Sequence, residues 1–463
     1  MQFPTKTLTI IALSILTISL VTSLFIWAPH ERNDFPLFRD FIVFFATTLL
    51  LKYFVYMIIS PWYDVVMRRR QLAIRSLRGL PYRPRVSVII PAWNEEVGIL
   101  ATLGTILAST YTDLEVVVVN DGSTDDSDAQ IQAFVAEYEK ERASHEVGKH
   151  VDIIYRRKEN GGKGRALNYG IALSSGEIIV SVDADCVLEP NTIENFVKYF
   201  EDPTVMAAVG NVKIGNTKHI LGTLQYLEFL FSFYFKKADS LMNTIYIIGG
   251  AAGAFRRSVF DTVGLYNKHT ITEDIDLSVR IQEAGMKIVY AADAIVYTEG
   301  AGTLGGLMQQ RLRWKYGRFQ TFFEHRKLFF SSAPRHNKFL TWLILPFAIL
   351  GDTQLFFEIM FLIFLYIYSL LTHDFSSFAS GIIVVSSMFF VQMFDDRSPK
   401  PWRLYILAPV GWLLFYITTF IEYQALLRSI SAMFGKQRMK WQTWERAGLD
   451  KEELVVSESY AKT

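Results

Sequence analysis

The segment Leu114-Glu-Val-Val-Val-Val-Asn-Asp-Gly-Ser123 joins an unbroken apolar run to a polar turn. Two other runs have this form, 85–91, which ends at Pro91, and 177–182, which leads into Asp183-Ala-Asp185. Continuous apolar runs that end at turn residues predict strands buried on both faces of a sheet. A further strand is predicted at 151–155, and helical patterns separate the runs at about 94–109, with Asn94 as a plausible cap, 125–142 and 163–173.

Strands that alternate with helices indicate an α/β domain with a parallel sheet covered on both faces. Ligands of such sheets bind beyond the carboxyl ends of the strands. Asp121 and Asp185 both lie at such ends. The sequence therefore predicts a ligand site at that edge of the sheet.

The composition points to a membrane protein. The 463 residues are 51% hydrophobic and 14% aromatic, and the net charge is +1. These apolar fractions exceed those of an ordinary soluble domain, and the balanced charge argues against nucleic-acid binding. A lone cysteine, Cys186, excludes an internal disulfide and a cysteine-based zinc site.

The apolar residues are concentrated at the two ends of the chain. Leu8–Trp27 is a run of about 20 uncharged residues, long enough to cross a bilayer. We interpret it as a retained anchor, because it is too long for a signal peptide and no cleavage site follows. A second span is predicted at 41–59, and Arg68, Arg69 and Arg70 after it indicate that its exit end is cytosolic.

The C-terminal third contains four more apolar segments, at about 339–350, 355–371, 382–394 and 404–427. Four crossings would return the basic tail, with Lys436, Arg438 and Lys440, to the cytosol. Three charges lie at or within the predicted spans: Lys52 in the second span, and Asp352 and Glu358 in the C-terminal segments. They are interfacial groups or structural ion pairs, or else they mark a polar path through the bundle. The predicted division is 1–66 for two membrane helices, 67–300 for a cytosolic α/β domain, 301–335 for interfacial helices, 336–430 for C-terminal membrane helices and 431–463 for a cytosolic tail.

Two acidic signatures follow the predicted strands. Asn120-Asp121-Gly-Ser123 alone is good turn chemistry. Asp183 and Asp185 stand just past a strand end, where they can converge on a hard cation such as Mg²⁺ or Mn²⁺. A solvated acidic turn is the alternative.

Two glycine-rich segments lie between the other motifs. Gly161-Gly-Lys163-Gly-Arg165 precedes a helix, so its amides and cations face a positive helix end. It is not a Walker loop, because the spacing is wrong and Gly164 stands where Ser or Thr is needed. Lys163 is interpreted as a nucleotide contact, with a plain loop before the helix as the alternative. The small residues at 247–253, including Gly250, permit close approach of a ligand or close packing of a turn.

Two further motifs begin or occupy helices. Thr272-Glu273-Asp274 opens a predicted helix at about 274–284. An N-cap followed by an acidic first turn would by itself be a sufficient explanation of this motif. Gln310, Arg313 and Trp314 share one face of a helix predicted at about 304–323. Arg313 can fork onto diphosphate oxygens, and Trp314 offers a flat face for a sugar ring. By itself this segment would be a basic, amphipathic interfacial helix.

The order of these motifs, flanked by apolar segments, resembles the processive, membrane-embedded family-2 glycosyltransferases. These include the cellulose, chitin, hyaluronan and bacterial poly-N-acetylglucosamine synthases. The motifs cover roughly residues 82–330. The resemblance implies a Rossmann-like GT-A nucleotide-sugar-binding domain inserted between N-terminal and C-terminal transmembrane helices. It also implies inverting transfer from a UDP-sugar to a growing β-linked polysaccharide, at the plasma membrane with the catalytic domain in the cytosol.

The resemblance also assigns roles to residues. It implies that Asp121 accepts a hydrogen bond from the donor uracil in a pocket lined by further donor-binding residues, namely Pro91, Asn94, Glu95 and Lys163. Asp185 corresponds to the usual ligand of Mg²⁺ or Mn²⁺, with Asp183 as a second ligand near the donor phosphate or ribose.

In the same family the aspartate of the Thr-Glu-Asp motif is the general base, which would be Asp274, beside Glu273. Gln310 and Arg313 would contact the leaving diphosphate. Trp314 and Gly250 would lie near the acceptor. One departure is that Glu299 is followed by Gly300, where members of the family often have proline.

Two alternatives stay open at this point. The enzyme could be non-processive and glycosylate a membrane lipid, or the chain could be a transporter or binding component with an inactive domain. The presence of every expected carboxylate argues against the second. The poly-N-acetylglucosamine synthases are most similar in size and layout, which favours UDP-GlcNAc as the donor, while the motifs themselves specify neither the sugar, the linkage nor any accessory subunit.

Overall fold

The computed structural model describes residues 5–27, 37, 40, 53–78, 82–144, 151–396, 398, 400, 402–435 and 447–449. Most of the predicted span at 41–59, together with Lys52 and the tail cations at 436–440, lies outside the described residues.

A mixed eight-stranded sheet forms the centre of the described chain, in the order β3-β2-β1-β4-β7-β6-β8-β5. Its strands are β1 Val86–Ala92, β2 Leu114–Asn120, β3 Asp152–Arg157, β4 Ile178–Ser181, β5 Val187–Leu188, β6 Val205–Ile214, β7 Gly253–Arg256 and β8 Lys287–Thr298.

The first half of this sheet confirms the predicted parallel arrangement. β2 pairs in parallel with β1 and β3, and β1 pairs in parallel with β4. All seven residues of β2 are buried, as expected for a strand covered on both faces. The second half is mixed: β7 runs antiparallel to β4 and β6, β6 is parallel to β8, and β8 is antiparallel to β5. The parallel arrangement therefore holds for the four strands from which it was predicted, and the strands beyond β4 add antiparallel pairs.

The helices cover the two faces of the sheet and continue into the apolar segments. They are α1 Thr5–Trp27, α2 Tyr63–Arg78, α3 Ile99–Leu107, α4 Ser127–Ser144, α5 Lys163–Leu173, α6 Thr192–Tyr199, α7 Ile220–Met242, α8 Arg257–Val263, α9 Glu273–Glu283, α10 Leu304–Glu324, α11 Leu345–Thr372, α12 Ser376–Asp395, α13 Arg403–Leu407 and α14 Gly411–Phe434.

The predicted start of the first helix after β1 is wrong. α3 begins at Ile99 instead of near residue 94, and Asn94 does not cap it. Asn94 has a left-handed backbone, with φ of 54°, and its side-chain oxygen accepts from the Thr124 amide at 2.8 Å. Asparagine tolerates this conformation, so the residue serves a loop and not a helix terminus.

Three helices among the described residues are long and apolar enough to cross a membrane: Thr5–Ser23, Leu340–Thr372 and Phe378–Asp395. A fourth candidate is the pair Arg403–Leu413 and Tyr416–Phe434, which is bent by 59°. The segments predicted separately at 339–350 and 355–371 form one helix of 33 residues. Asp352 lies in the gap between the two predicted segments, and its carboxylate pairs with Lys315 at 2.7 Å and Arg318 at 2.5 Å. It marks a helix contact and not a helix end.

A buried ion network joins the apolar helices to the α/β domain. Lys237 of α7 lies 2.6 Å from Asp395 of α12 and 3.3 Å from Asp64 of α2. Lys6 of α1 lies 3.0 Å and 3.1 Å from the same two carboxylates. Two lysines thus alternate with two aspartates contributed by four helices. We call this group the four-helix ion network.

Replacing Lys237 by alanine should lower the free energy of unfolding by about 3 kcal/mol, because it removes the buried cation that pairs with the buried Asp395 carboxylate. The matched control is Arg83→Ala, which removes an ion pair with Glu194 whose side chains are 55% and 45% exposed. It should cost less than about 1 kcal/mol. Denaturant unfolding in detergent, followed by tryptophan fluorescence, measures both. Equal effects would contradict the stabilising role of the network.

Candidate functional site

One cleft of about 960 Å³ lies beyond the carboxyl ends of β1, β2 and β4. Residues far apart in the sequence, such as Asp121, Asp274 and Arg313, line it together. It contains all the site residues predicted from the sequence, namely Pro91, Asn94, Glu95, Asp121, Lys163, Asp183, Asp185, Gly250, Glu273, Asp274, Gln310, Arg313 and Trp314. The predicted groups therefore converge on one space.

Asp121 anchors a glycine loop at one end of the cleft. Its carboxylate accepts from the Gly162 amide at 2.7 Å and the Gly161 amide at 3.0 Å, and it forms an ion pair with Lys158. Gly162 has φ of 90°, a conformation that favours glycine. The side chain that was predicted to select a base thus also fixes the loop that carries Lys163.

The loop after β1 is fastened to the turn after β2. The Asn94 amide donates to Ser123 Oγ at 3.0 Å, and the Glu95 amide donates to Ser127 Oγ at 2.9 Å. Pro91 is the penultimate residue of β1, just before this loop. These contacts hold one wall of the cleft in place.

Asp183 and Asp185 directly follow β4, and the start of α3 packs against their turn. Thr102 Oγ1 donates to the Ala184 carbonyl at 2.8 Å. Asp185 is buried, whereas Asp183 is partly exposed. Both present carboxylate oxygens to the cleft, which are the ligands that Mg²⁺ and Mn²⁺ prefer.

Lys163, the first residue of α5, connects the two acidic motifs. Its Nζ lies 2.5 Å from Asp183 Oδ1 and 3.6 Å from Glu273 Oε1. Burial alone would lower the pKa of Lys163, but the carboxylates of Asp183 and Glu273 outweigh it and raise the pKa. The lysine therefore stays charged and compensates the neighbouring acids.

Glu273 and Asp274 form the first turn of α9. Asp274 accepts from the Gly250 amide at 3.0 Å and from the Ile275 amide at 2.8 Å. Burial raises the pKa of both carboxyl groups, while Lys163 acts in the opposite direction. The pair consequently accepts protons at a higher pH than ordinary carboxylates do.

Gly250 occupies a position where a side chain would displace this arrangement. A Cβ atom there would lie 2.5 Å from Lys163 Nζ. The glycine thus allows the lysine to approach while its amide holds Asp274. A contact between Gly250 and an acceptor remains a prediction.

Helix α10 lines the cleft with its motif residues and forms ion pairs with its other cations. Gln310, Arg313 and Trp314 line the cleft. Gln310 is buried, and its side-chain oxygen has no hydrogen-bond partner among the described residues.

The other cations of α10 contact acidic side chains. Arg311 pairs with Glu228 at 2.6 Å and lies over the Trp314 ring at 4.6 Å. Lys315 pairs with Glu422 at 2.8 Å, in addition to Asp352. The positive charges of this helix are therefore largely neutralised by acidic side chains of the protein. A helix that only contacted the membrane surface would not need these ion pairs.

Sequence reasoning missed one wall of the cleft. It comes from α7 and is formed by Glu228, Phe229, Ser232, Phe233 and Lys236. Their spacing of one, four, five and eight residues is that of a single helical face. The same periodicity in 220–242 could have predicted the helix, but no chemical motif drew attention to it.

The loop after Glu299 explains the departure from the family pattern. The Gly300 amide donates to Asn216 Oδ1 at 2.8 Å, a bond that proline cannot make. The Glu299 carboxylate accepts from the Ala447 amide at 2.8 Å and the Gly448 amide at 3.2 Å. The described part of the tail thus lies against the α/β domain.

α9 and α10 approach each other closely beside the cleft. A Cβ atom on Gly317 would lie within 3.0 Å of three side-chain atoms of Thr272. Thr272 is buried and immediately precedes Glu273. Gly317 therefore sets how near the two motif-bearing helices can come.

Residues 84–317 match the family model described as "Glycosyltransferase like family 2". Among curated relatives, a poly-beta-1,6-N-acetyl-D-glucosamine synthase of Staphylococcus epidermidis is 31% identical over 331 residues, which cover 68% of this chain and 76% of that protein. A synthase of the same name from Staphylococcus aureus is 30% identical over 235 residues, which cover 50% of this chain and 54% of that protein.

A solved structure has a related fold. The mannosyltransferase from Pyrobaculum calidifontis, in complex with GDP-Man and Mn²⁺, superposes with a TM-score of 0.50. It is 19% identical, and the match covers 83% of this chain and 99% of that one. The GT-A fold expected from the sequence is confirmed.

Gly317→Ala should lower the free energy of unfolding by about 1–3 kcal/mol, because the added methyl group overpacks the contact with Thr272. Gly305→Ala, on the same helix, is the matched control, since no atom lies within 4 Å of its Cβ position. It should be neutral or stabilising by up to about 1 kcal/mol. Thermal unfolding in detergent compares the two, and similar losses would refute the close contact.

Proposed function

Because the chain belongs to glycosyltransferase family 2, we propose that it transfers N-acetylglucosamine from UDP-GlcNAc to a growing β-linked polysaccharide. We place it in the plasma membrane, with the catalytic domain in the cytosol and the polymer leaving through its own helix bundle. The observation that carries this proposal is the single cleft that unites Asp121, Asp185, Asp274 and Arg313.

The donor binds at the sheet end of the cleft in this proposal. Asp121 accepts from the uracil N3–H, and Asn94 and Glu95 lie on the neighbouring wall. The choice of N-acetylglucosamine is supported by the names of the relatives, which are synthases of a polymer of this sugar.

The residues present fit a divalent cation at the diphosphate. Asp185, with Asp183, would hold Mg²⁺ or Mn²⁺, and the cation would neutralise the leaving group. Lys163 already pairs with Asp183, so it supplies a further positive charge near the phosphates. Arg313 can donate two parallel hydrogen bonds to the departing diphosphate.

Asp274 acts as the general base. Its carboxylate takes the proton of an acceptor hydroxyl while that oxygen bonds to the anomeric carbon and the bond to UDP breaks. One such displacement inverts the configuration and needs no covalent intermediate. The Gly250 amide bonded to Asp274 Oδ2 fixes the orientation of the base.

The acceptor extends away from the base along the α7 wall. Trp314 offers a flat surface to a sugar ring, and the cleft continues past Glu228 to Glu422 of α14. Of the helices at this end, α14 belongs to the bent pair that forms the fourth candidate span. This continuity supports a path for a polymer from the site into the bundle.

Asp274→Asn should lower kcat about 10²–10⁴-fold, because the amide cannot accept the hydroxyl proton. Release of UDP from UDP-GlcNAc by the purified protein, with Mn²⁺ present, measures this rate. Asp261→Asn, at an exposed carboxylate of α8, should match the wild type. Undiminished turnover in Asp274→Asn would refute the assigned base.

The product tests the acceptor. Labelled UDP-GlcNAc should yield a long water-soluble polymer that chromatography separates from lipid. A single labelled glycolipid would instead support the non-processive alternative. If UDP is released from other UDP-sugars but not from UDP-GlcNAc, the assignment as a glycosyltransferase stands and the assignment of N-acetylglucosamine is wrong.

The pH dependence of kcat should report the Glu273–Asp274 pair. The rate should rise as the pH rises through the pKa of the pair, because the base must be ionised, and this rise should occur above the range of ordinary carboxylic acids. Lys163→Met removes a cation that lowers these pKa values, so the rise should move to a higher pH by about one to three units. Lys158→Met, beside Asp121, should leave the position of the rise unchanged; a shift in both variants would contradict the assignment.

A further inference from the structure

His325 lies at the far end of the contact between α9 and α10. It follows the last residue of α10 and stands between two carboxylates of α9. Its Nε2 is 3.2 Å from Asp276 Oδ1, and its Nδ1 is 3.1 Å from Glu283 Oε2. The histidine therefore bridges the helix of the base to the helix of Arg313.

This bridge requires a charged ring. An ionised carboxylate only accepts hydrogen bonds, and a neutral imidazole has a single N–H, so both contacts are made only by the doubly protonated form. The C-terminal end of α10 also favours a cation at this position. Burial alone would lower the pKa of His325, but the hydrogen bonds to Asp276 and Glu283 outweigh it and raise the pKa.

Other charged groups surround the bridge. Arg280 of α9 pairs with Asp276 Oδ2 at 2.8 Å, and His336 contacts the Glu283 carbonyl at 3.1 Å. Glu324 precedes His325 on α10 and lies near enough to form a possible metal cluster with it and Asp276. Because both nitrogens of His325 already face carboxylates and Arg280 holds Asp276, an ion bridge describes this group better than a metal site. Arg326 and Lys327 directly follow His325 in the sequence. Arg335 contacts His336 at 3.2 Å.

The bridge acts on the first turn of α9. Asp276 is 1% exposed and stands two residues after Asp274. At the cleft end, Thr272 packs on Gly317 of α10. Contacts at both ends therefore fix the rotation and the distance of α9 relative to α10, and with them the separation of Asp274 from Arg313.

We propose that His325 is a positioning residue for the transfer reaction: as a cation between Asp276 and Glu283, it holds the base-bearing helix against the helix that binds the leaving diphosphate. This inference rests on the proposed function. It predicts that kcat falls at alkaline pH, because deprotonation of His325 breaks one of the two contacts. The acid limb of the profile belongs to the Glu273–Asp274 pair and is separate from it.

The test compares His325→Gln with His325→Arg in the UDP-release assay, over a range of pH at constant Mn²⁺. Glutamine keeps a hydrogen-bonding side chain without charge, and arginine keeps a charge that does not titrate in this range. His325→Gln should lower kcat at least about tenfold with little change in KM, because a displaced base misaligns the reactants. His325→Arg should retain most of kcat and lose the alkaline decline of the wild type.

Glu324→Gln is the matched control on the same helix end. Glu324 contacts Gln320 at 3.2 Å and does not bridge α10 to α9, so its kcat on the plateau of the pH profile should match the wild type. Wild-type kcat and an unchanged alkaline limb in His325→Gln would overturn the proposal. Equal losses in the glutamine and arginine variants would also overturn it, because the ring would then act by packing and not by charge.

The two proposals fail differently. A wild-type protein that releases UDP from no UDP-sugar refutes the proposed function. A wild type that is active with any UDP-sugar, combined with a His325→Gln variant of equal kcat, refutes only the role of His325.

Discussion

Glu273 and Asp274 can lie buried beside the aspartates of the cleft only if positive charge lies among these carboxylates, because repulsion and desolvation would otherwise protonate the pair. Lys163 supplies that charge between Asp183 and Glu273. Its position depends on the glycine loop that Asp121 holds and on the space that Gly250 leaves. The three motifs of the cleft are therefore linked through one ammonium group, although they come from separate parts of the chain.

The sequence predicted the first half of the sheet well, because each of those strands is an unbroken apolar run that stops at a polar turn. β2 and α5 have the predicted bounds to within a residue. The second half was not predicted. β6 and β8 are long and mostly buried strands that include glycine, asparagine, lysine or aspartate, and β7 has only four residues, so none carries a strong local pattern. The division at Asp352 failed for another reason: a charge in an apolar segment can be neutralised by Lys315 and Arg318, which lie 34 or more residues away.

The identities of the site residues were easier to predict than their contacts. Asp121 and Asp274 belong to short motifs, which can be recognised from consecutive residues alone. That Asp121 would bind Gly161 and Gly162, or that Gly250 would donate to Asp274, depends on the way distant loops meet. The contribution of α7 was invisible for the same reason, since Glu228 and Lys236 become part of the site only when the helix crosses the end of the sheet.

The end of α12 gives the fold a mechanical property. Asp395 and Asp396 are adjacent, yet the first pairs with Lys237 of α7 and the second with Lys213 of β6. In a bilayer, helices respond to a mismatch between their apolar length and the lipid thickness by tilting. A tilt of α12 would pull on a helix and a strand that carry walls of the cleft. The thickness of the surrounding bilayer and the shape of the cleft would thereby be coupled through these two ion pairs.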